Sequence, residues 1–107
     1  MQHAQEMLRR LTIGESGQVT TLLGVDHGVP GCRRLDDRTE ALLRIGALVA
    51  LDAPQASYRA AVGAAQRAGA DLDDILAALV AVAGAVGSAR VVAAAPKIAL
   101  AAGYDIE

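Results

Sequence analysis

The sequence predicts an all-α fold, a helical bundle of about five to six helices in a single domain spanning residues 1–107. Three observations lead to this prediction. Of the 24 alanines in the chain, 23 follow Glu40. Aspartates that can cap helices and glycines that can end them recur at intervals of one helix length. No segment fits the alternating pattern of a strand better than it fits a helical pattern.

The core implied by this composition has few large side chains. The 107-residue chain is 53% apolar, which is enough for a globular domain, yet it contains no Phe, no Trp and only two Tyr. Alanine-rich helices must approach closely to exclude water, and they bury less apolar area per residue than Leu or Phe would. We therefore expect further surface to be buried in a homo-oligomer.

The composition of the chain changes at about residue 34. Residues 1–34 are mixed and interrupted by glycines, and they predict an N-terminal extension with two short helices, within 2–12 and at 16–24, followed by a loop. Residues 35–103 are alanine-rich and predict the helical core.

The core is expected to begin with a helix over about 36–51. Asp36 is a preferred N-cap residue, and the acidic residues of the first turn suit the helix dipole. The apolar stripe consists of Leu42, Ile45, Leu48 and Val49. A second helix, over about 54–68, is expected to start at Pro54, because the first helical position tolerates proline, and to end at Gly69.

The third core helix is predicted over about 72–86. Asp71 followed by Asp74 has the pattern of a capping box. The helix is apolar on nearly all sides, which places it at the centre of the bundle or in a subunit interface. A last helix, over about 89–102, contains Pro96 and is expected to kink or restart there.

The bulk properties exclude several classes of partner. The net charge is −2, the pI is about 5.6 and there is no basic run, so we expect no nucleic-acid partner. The longest uncharged apolar run has 13 residues, too few to span a bilayer, so we expect no membrane partner. The N-terminus lacks the apolar region of a signal peptide, and the single Cys32 cannot form an internal disulfide. Both features predict a cytoplasmic protein.

No residue pattern calls for a cofactor or a metal ion, and we expect neither. The acidic cluster fits helix capping better than metal binding, because no histidine and no second acidic cluster lies near it in sequence. It consists of Asp71, Asp73 and Asp74.

The order of landmarks after Leu35 is the most specific signal in the chain. The landmarks are Leu35-Asp36, Ala65 with Gly69-Ala70, Asp73-Asp74-Ile75, and Gly87. Their order and spacing resemble the carboxymuconolactone decarboxylase family, which includes the alkylhydroperoxidase D-like proteins, over roughly residues 35–103. The resemblance implies a bundle of the alkylhydroperoxidase D-like type, assembled into dimers, trimers or hexamers.

The same resemblance implies reactive positions that this chain leaves empty. The redox branch of the family has Cys-x-x-Cys-x-x-x-His, and these positions fall here at Pro54, Ser57 and Ala61. Peroxide chemistry needs an activated thiolate with a resolving thiol, and the decarboxylase branch has a histidine in place of Ala61 to move protons. We therefore expect a protein that is catalytically degenerate at this site and binds a small organic ligand between helices.

Two other sources of chemistry keep the question of enzymatic activity open. Tyr58 precedes Ala61 by three residues on one helix, and Glu40 and Arg44 are spaced i,i+4 on the preceding helix. These three side chains form a candidate acid–base group beside the empty position. Cys32, in the predicted loop, is a candidate for peroxidase-type redox activity on its own.

Overall fold

The computed structural model describes residues 2–14 and 34–104, and all regular structure within them is helical. The helices are α1 (Gln2–Ile13), α2 (Asp37–Leu51), α3 (Gln55–Arg67), α4 (Leu72–Val86) and α5 (Ser88–Ala101). The prediction of an all-α bundle of five to six helices is confirmed. The short helix predicted at 16–24 and most of the loop after it lie outside the described residues.

The chain forms two compact units, Met1–Leu35 and Asp36–Glu107. The first contains α1, in which the Glu6 carboxylate accepts hydrogen bonds from Arg9 (2.8 Å) and Arg10 (3.1 Å), about one helical turn away. Hydrogen bonds from these two guanidinium groups lower the pKa of Glu6 to about 2. The second unit contains the bundle of helices α2 to α5.

Side-chain caps fix the starts of α2 and α4, as predicted. The Asp36 carboxylate accepts from the backbone N–H of Thr39 (2.8 Å) and begins α2. Asp71 and Asp74 form a capping box, each side chain accepting from the backbone N–H of the other (2.8 and 3.0 Å). Arg38 donates to Asp74 across 2.6 Å, so the first turns of α2 and α4 lie side by side.

Two details of the helix boundaries differ from the sequence prediction. Pro54 occupies the N-cap of α3 rather than the first helical position, because its backbone is extended (ψ 163°) and helical geometry begins at Gln55. Helix α5 runs without interruption through Pro96, so the restart expected there is absent. The glycine stop at Gly69 is confirmed by its positive φ of 91°, which glycine adopts without steric cost.

The core of the bundle is built from one apolar stripe on each of the four helices. Its largest fully buried side chains are Ile45, Val49, Tyr58, Val62 and Ile75. Helix α4 contributes Ile75 and Leu79 to the core, but Leu76 is 49% exposed and Val80 is 76% exposed. The sequence offered two positions for this helix, the centre of the bundle or a subunit interface, and the first of these is therefore wrong.

Helices α2 and α4 approach each other closely at Gly46. A Cβ atom built on Gly46 would lie 2.9 Å from Cγ1 of Val82, nearer than such atoms pack in real structures. Gly84, in the same pair of helices, has no neighbouring atom within 4 Å of the corresponding position. A side chain at Gly46 would therefore collide with Val82, whereas one at Gly84 would meet open space.

We expect Gly46→Ala to destabilise the bundle and Gly84→Ala to stabilise it. Overpacking against Val82 should cost about 1–3 kcal/mol, and the gain in helix propensity should offset roughly 0.5–1 kcal/mol of it, so the free energy of unfolding should fall by up to about 2 kcal/mol. The same substitution at Gly84 should raise it by roughly 0.5–1 kcal/mol, through helix propensity alone. Urea unfolding followed by circular dichroism measures both. The cost of Gly46→Ala should shrink in a Val82→Ala background, and an equal cost in both backgrounds would exclude the steric explanation.

Candidate functional site

A groove between α2 and α3 is the candidate site. Its volume is about 450 Å³, within the range of roughly 300–1,000 Å³ that is typical of small-molecule sites. Seven side chains line it: Arg44, Ala47, Leu48, Ser57, Ala60, Ala61 and Ala64. Five of the seven are alanine or leucine, so the surface offered to a ligand is mainly apolar.

The start of α3 places two of the three positions expected to be reactive in this groove. The carbonyl of Pro54 accepts from the backbone N–H of Ser57 (3.0 Å) and of Tyr58 (3.4 Å), which forms the first turn. Ser57 and Ala61 then lie one turn apart and both line the groove. Pro54, at the N-cap, is not among the lining residues.

Arg44 is the charged residue of the groove lining. Its guanidinium donates to the Glu40 carboxylate one turn earlier on α2, across 3.1 Å. The Arg44 side chain is 62% exposed and that of Glu40 is 28% exposed. An exposed pair of this kind is worth little and exchanges partners easily. Arg44 can therefore turn toward an anionic group in the groove at small cost.

Tyr58 lies in the core rather than in the groove. A helix turns by about 100° per residue, so Ser57 faces the groove while its neighbour Tyr58 faces inward and is 1% exposed. Burial raises the pKa of the Tyr58 hydroxyl, and the negative charge of Asp52 raises it further. Tyr58, Glu40 and Arg44 were expected to converge beside Ala61. Arg44 lines the groove and Glu40 is hydrogen-bonded to it, whereas Tyr58 lies in the core.

A second polar cluster, which the sequence did not indicate, joins the α2–α3 turn to α5. Lys97 donates to the carbonyl of Ala53 (3.0 Å) and lies 3.8 Å from the Asp52 carboxylate. Arg90 approaches the same carboxylate at 3.9 Å, and Gln55 donates to the carbonyl of Lys97 (2.8 Å). The one available signal was that Lys97 is the only lysine in the chain.

The conformation of Asp52 explains how this cluster is built. Asp52 has φ 53° and ψ 52°, and it is the one described residue other than glycine with a positive φ. Aspartate tolerates this left-handed conformation better than most residues. The turn sends the chain back into α3 and leaves the carboxylate facing the cations of α5, so the cluster fastens α5 to the α2–α3 hairpin.

Several other candidate residues have more limited outcomes. Cys32 lies outside the described residues, so its proposed redox role stays a prediction. Within residues 2–14 and 34–104, no group of three His, Cys, Asp or Glu side chains converges to hold a metal ion. In the same part of the chain, no helix has the length and apolar character needed to cross a membrane.

Comparison with known proteins identifies no relative of this chain. No protein-family model matches it, no curated protein matches it, and no solved structure matches it. The resemblance to the carboxymuconolactone decarboxylase family therefore remains a prediction that rests on the residues quoted above.

The raised pKa of Tyr58, a buried residue, leads us to expect a specific alkaline dependence of stability. The folded-state pKa is raised, whereas tyrosine in an unfolded chain ionises near pH 10. Above that pH the unfolded state binds fewer protons than the folded state. The free energy of unfolding is therefore unaffected by the ionisation of Tyr58 below about pH 10, and it falls as the pH rises toward the folded pKa. The slope for one group is at most about 1.4 kcal/mol per pH unit.

Tyr58→Phe should remove this component of the pH dependence. Tyr104→Phe is the matched control, because it removes the same hydroxyl from a ring that is 53% exposed. Urea unfolding between pH 8 and about 11.5 gives the three stability profiles across the range in which tyrosine ionises. Identical alkaline slopes for the wild-type chain and Tyr58→Phe would show that the hydroxyl is not ionised differently in the two states.

Proposed function

We propose that this chain binds a small, mainly apolar organic acid in the α2–α3 groove and leaves it chemically unchanged there. The observation that carries the proposal is the position of the groove. It is lined by Ser57 and Ala61, two of the positions where the family resemblance implies reactive groups and where this chain has inert ones. A cavity beside these residues offers a ligand space and an apolar surface.

The groove lining supports binding rather than catalysis. It contains no histidine, cysteine or carboxylate, and the guanidinium group of Arg44 offers hydrogen-bond donors but no acceptor. General acid–base catalysis needs a group that gains and loses protons near the working pH. The hydroxyl of Ser57 has no base among the lining residues to activate it as a nucleophile.

Arg44 sets the chemical class of the ligand. A guanidinium group binds a carboxylate through two parallel hydrogen bonds, which are stronger than bonds between neutral groups. Its present partner, Glu40, holds it in an exposed pair that a ligand can replace at small cost. A molecule with an apolar body over Ala61 and Ala64 and a carboxylate near Arg44 fits both parts of the groove.

We propose further that the chain is a catalytically degenerate, homo-oligomeric relative of the carboxymuconolactone decarboxylase and alkylhydroperoxidase D-like proteins. The proposal is supported by the succession of the Asp36 cap, the Gly69 stop, the capping box that contains Asp74, and the Gly87 break. These separate the helices in the order of the landmarks that carry the resemblance. The oligomeric part is supported by the exposure of apolar side chains on α4.

Titration with sodium octanoate, followed by NMR of backbone amides, tests the ligand-binding proposal. We expect shifts concentrated on the groove residues of α2 and α3. Ala61→Met should fill the groove and weaken binding roughly tenfold, a change of about 1.4 kcal/mol. Ala56→Met is the matched control, because Ala56 is an exposed residue of the same helix and does not line the groove.

A parallel titration with 1-octanol tests the role of Arg44. Octanoate should bind more tightly than octanol to the wild-type chain, and Arg44→Met should reduce that preference because it removes the charge and keeps an apolar stem. Shifts spread evenly over the surface, or equal weakening by Ala61→Met and Ala56→Met, would show that the groove is not the binding site.

A further inference from the structure

Helices α4 and α5 present a wide apolar surface, here called the α4–α5 face. Five large side chains on it are between 38% and 76% exposed: Leu72, Leu76, Val80, Val92 and Tyr104. A groove of about 350 Å³ runs between the two helices and is lined by both, with Tyr104 at its margin. Val92 lies seven residues before Ala99, a lining residue, and so shares its side of α5.

The area of this face approaches what a stable dimer needs. From their exposed fractions, the five residues leave on the order of 500 Å² uncovered, the larger part of the roughly 800 Å² that each partner contributes to a standard interface. This lies in the upper part of the range of about 300–600 Å² for the largest apolar patch of a monomer, and such patches are often functional. The α4–α5 face can therefore supply the apolar centre of an interface.

The charges around the face favour a second copy of the chain over an anionic lipid surface. The cations of α5, Arg90 and Lys97, both turn toward Asp52 at the end of α2. The charged residues of α4 are the aspartates of its first turn, Asp73 and Asp74. A helix that lies on anionic lipid carries lysine and arginine beside its apolar side. The partner surface that suits this uncharged apolar face is therefore the same face of a second copy of the chain.

The shape of the face also suits pairing with itself. Leu76 and Val80, one turn apart, form a ridge on α4 beside the α4–α5 groove. In a two-fold dimer, the ridge of each copy meets the groove of the other, so a single arrangement fills both grooves. Val80 lies at the middle of the 15-residue helix, where two antiparallel copies of α4 would cross.

We propose that the α4–α5 face is a two-fold interface between copies of this chain, with Leu76 and Val80 of each copy packed into the groove of the other. This inference rests on the proposed homo-oligomer and names its surface. It makes Val80 a central contact, and it uses none of the residues that line the α2–α3 groove.

Sedimentation velocity of the full-length chain, over a wide concentration range, tests the interface. The wild-type chain should sediment as a dimer or a larger assembly. Val80→Lys should raise the dissociation constant roughly tenfold or more, because it buries a charge at the centre of the contact. Leu51→Lys is the matched control: Leu51 is 74% exposed, Val80 is 76% exposed, and Leu51 lies on α2. Circular dichroism checks that both variants fold.

Val80→Cys in a Cys32→Ser background adds a readout of geometry. Mild oxidation should give a covalent dimer through residue 80, whereas Leu51→Cys in the same background should not. A monomeric wild-type chain overturns both this interface and the proposed oligomer. An oligomer that Val80→Lys leaves intact and that Val80→Cys does not cross-link overturns the interface alone, since assembly then uses another surface.

Discussion

The close approach of α2 and α4 at Gly46 is the contact on which the rest of the bundle depends. The chain has no Phe or Trp, and five of its twelve described buried hydrophobic residues are alanines. Short side chains exclude water only where helices pack closely, and the 2.9 Å distance from a built Cβ of Gly46 to Cγ1 of Val82 shows that the Val82 side chain packs directly on the glycine backbone. A side chain at Gly46 would collide with Val82 and force the packing of these two helices to change.

The same small side chains account for the two open grooves. Ala47, Ala60, Ala61 and Ala64 line the space between α2 and α3, and none of them is long enough to fill it. On the other side of the bundle, Ala95 and Ala99 leave the groove between α4 and α5 open. Alanine thus packs the centre by permitting close contact and leaves the margins unfilled, so the grooves result from the composition that forms the core.

The sequence predicted the helices well because their starts and ends are local events. An aspartate that accepts from an N–H three residues later, or a glycine that adopts a positive φ, needs nothing from the rest of the chain. Asp36, Asp71 and Gly69 were therefore recognisable in advance. The conformations of Pro54 and Pro96 were not, because both positions are compatible with more than one local geometry and neighbouring helices decide between them.

The candidate site was predicted only in part, because the sequence does not show which way each residue faces around the helix axis. Spacing along a helix shows that Ser57 and Ala61 share a side, and both do line the groove. It does not show whether Tyr58, 60° away from Ala61 around the axis, faces the groove or the core; packing against the other helices decides that. The cluster of Asp52 with Lys97 was beyond reach, because it joins residues 45 positions apart through a left-handed turn.

The positions of the two grooves bear on how binding and assembly relate. The α2–α3 groove involves no residue of α4 or α5, and the α4–α5 groove involves none of α2 or α3. A ligand in the α2–α3 groove therefore makes the same contacts whether the α4–α5 face is covered by a second copy or exposed to solvent. Coupling between two sites requires contacts that differ between the two states. Ligand affinity should therefore be independent of protein concentration, so that Val80→Lys leaves octanoate binding unchanged even where it separates the subunits.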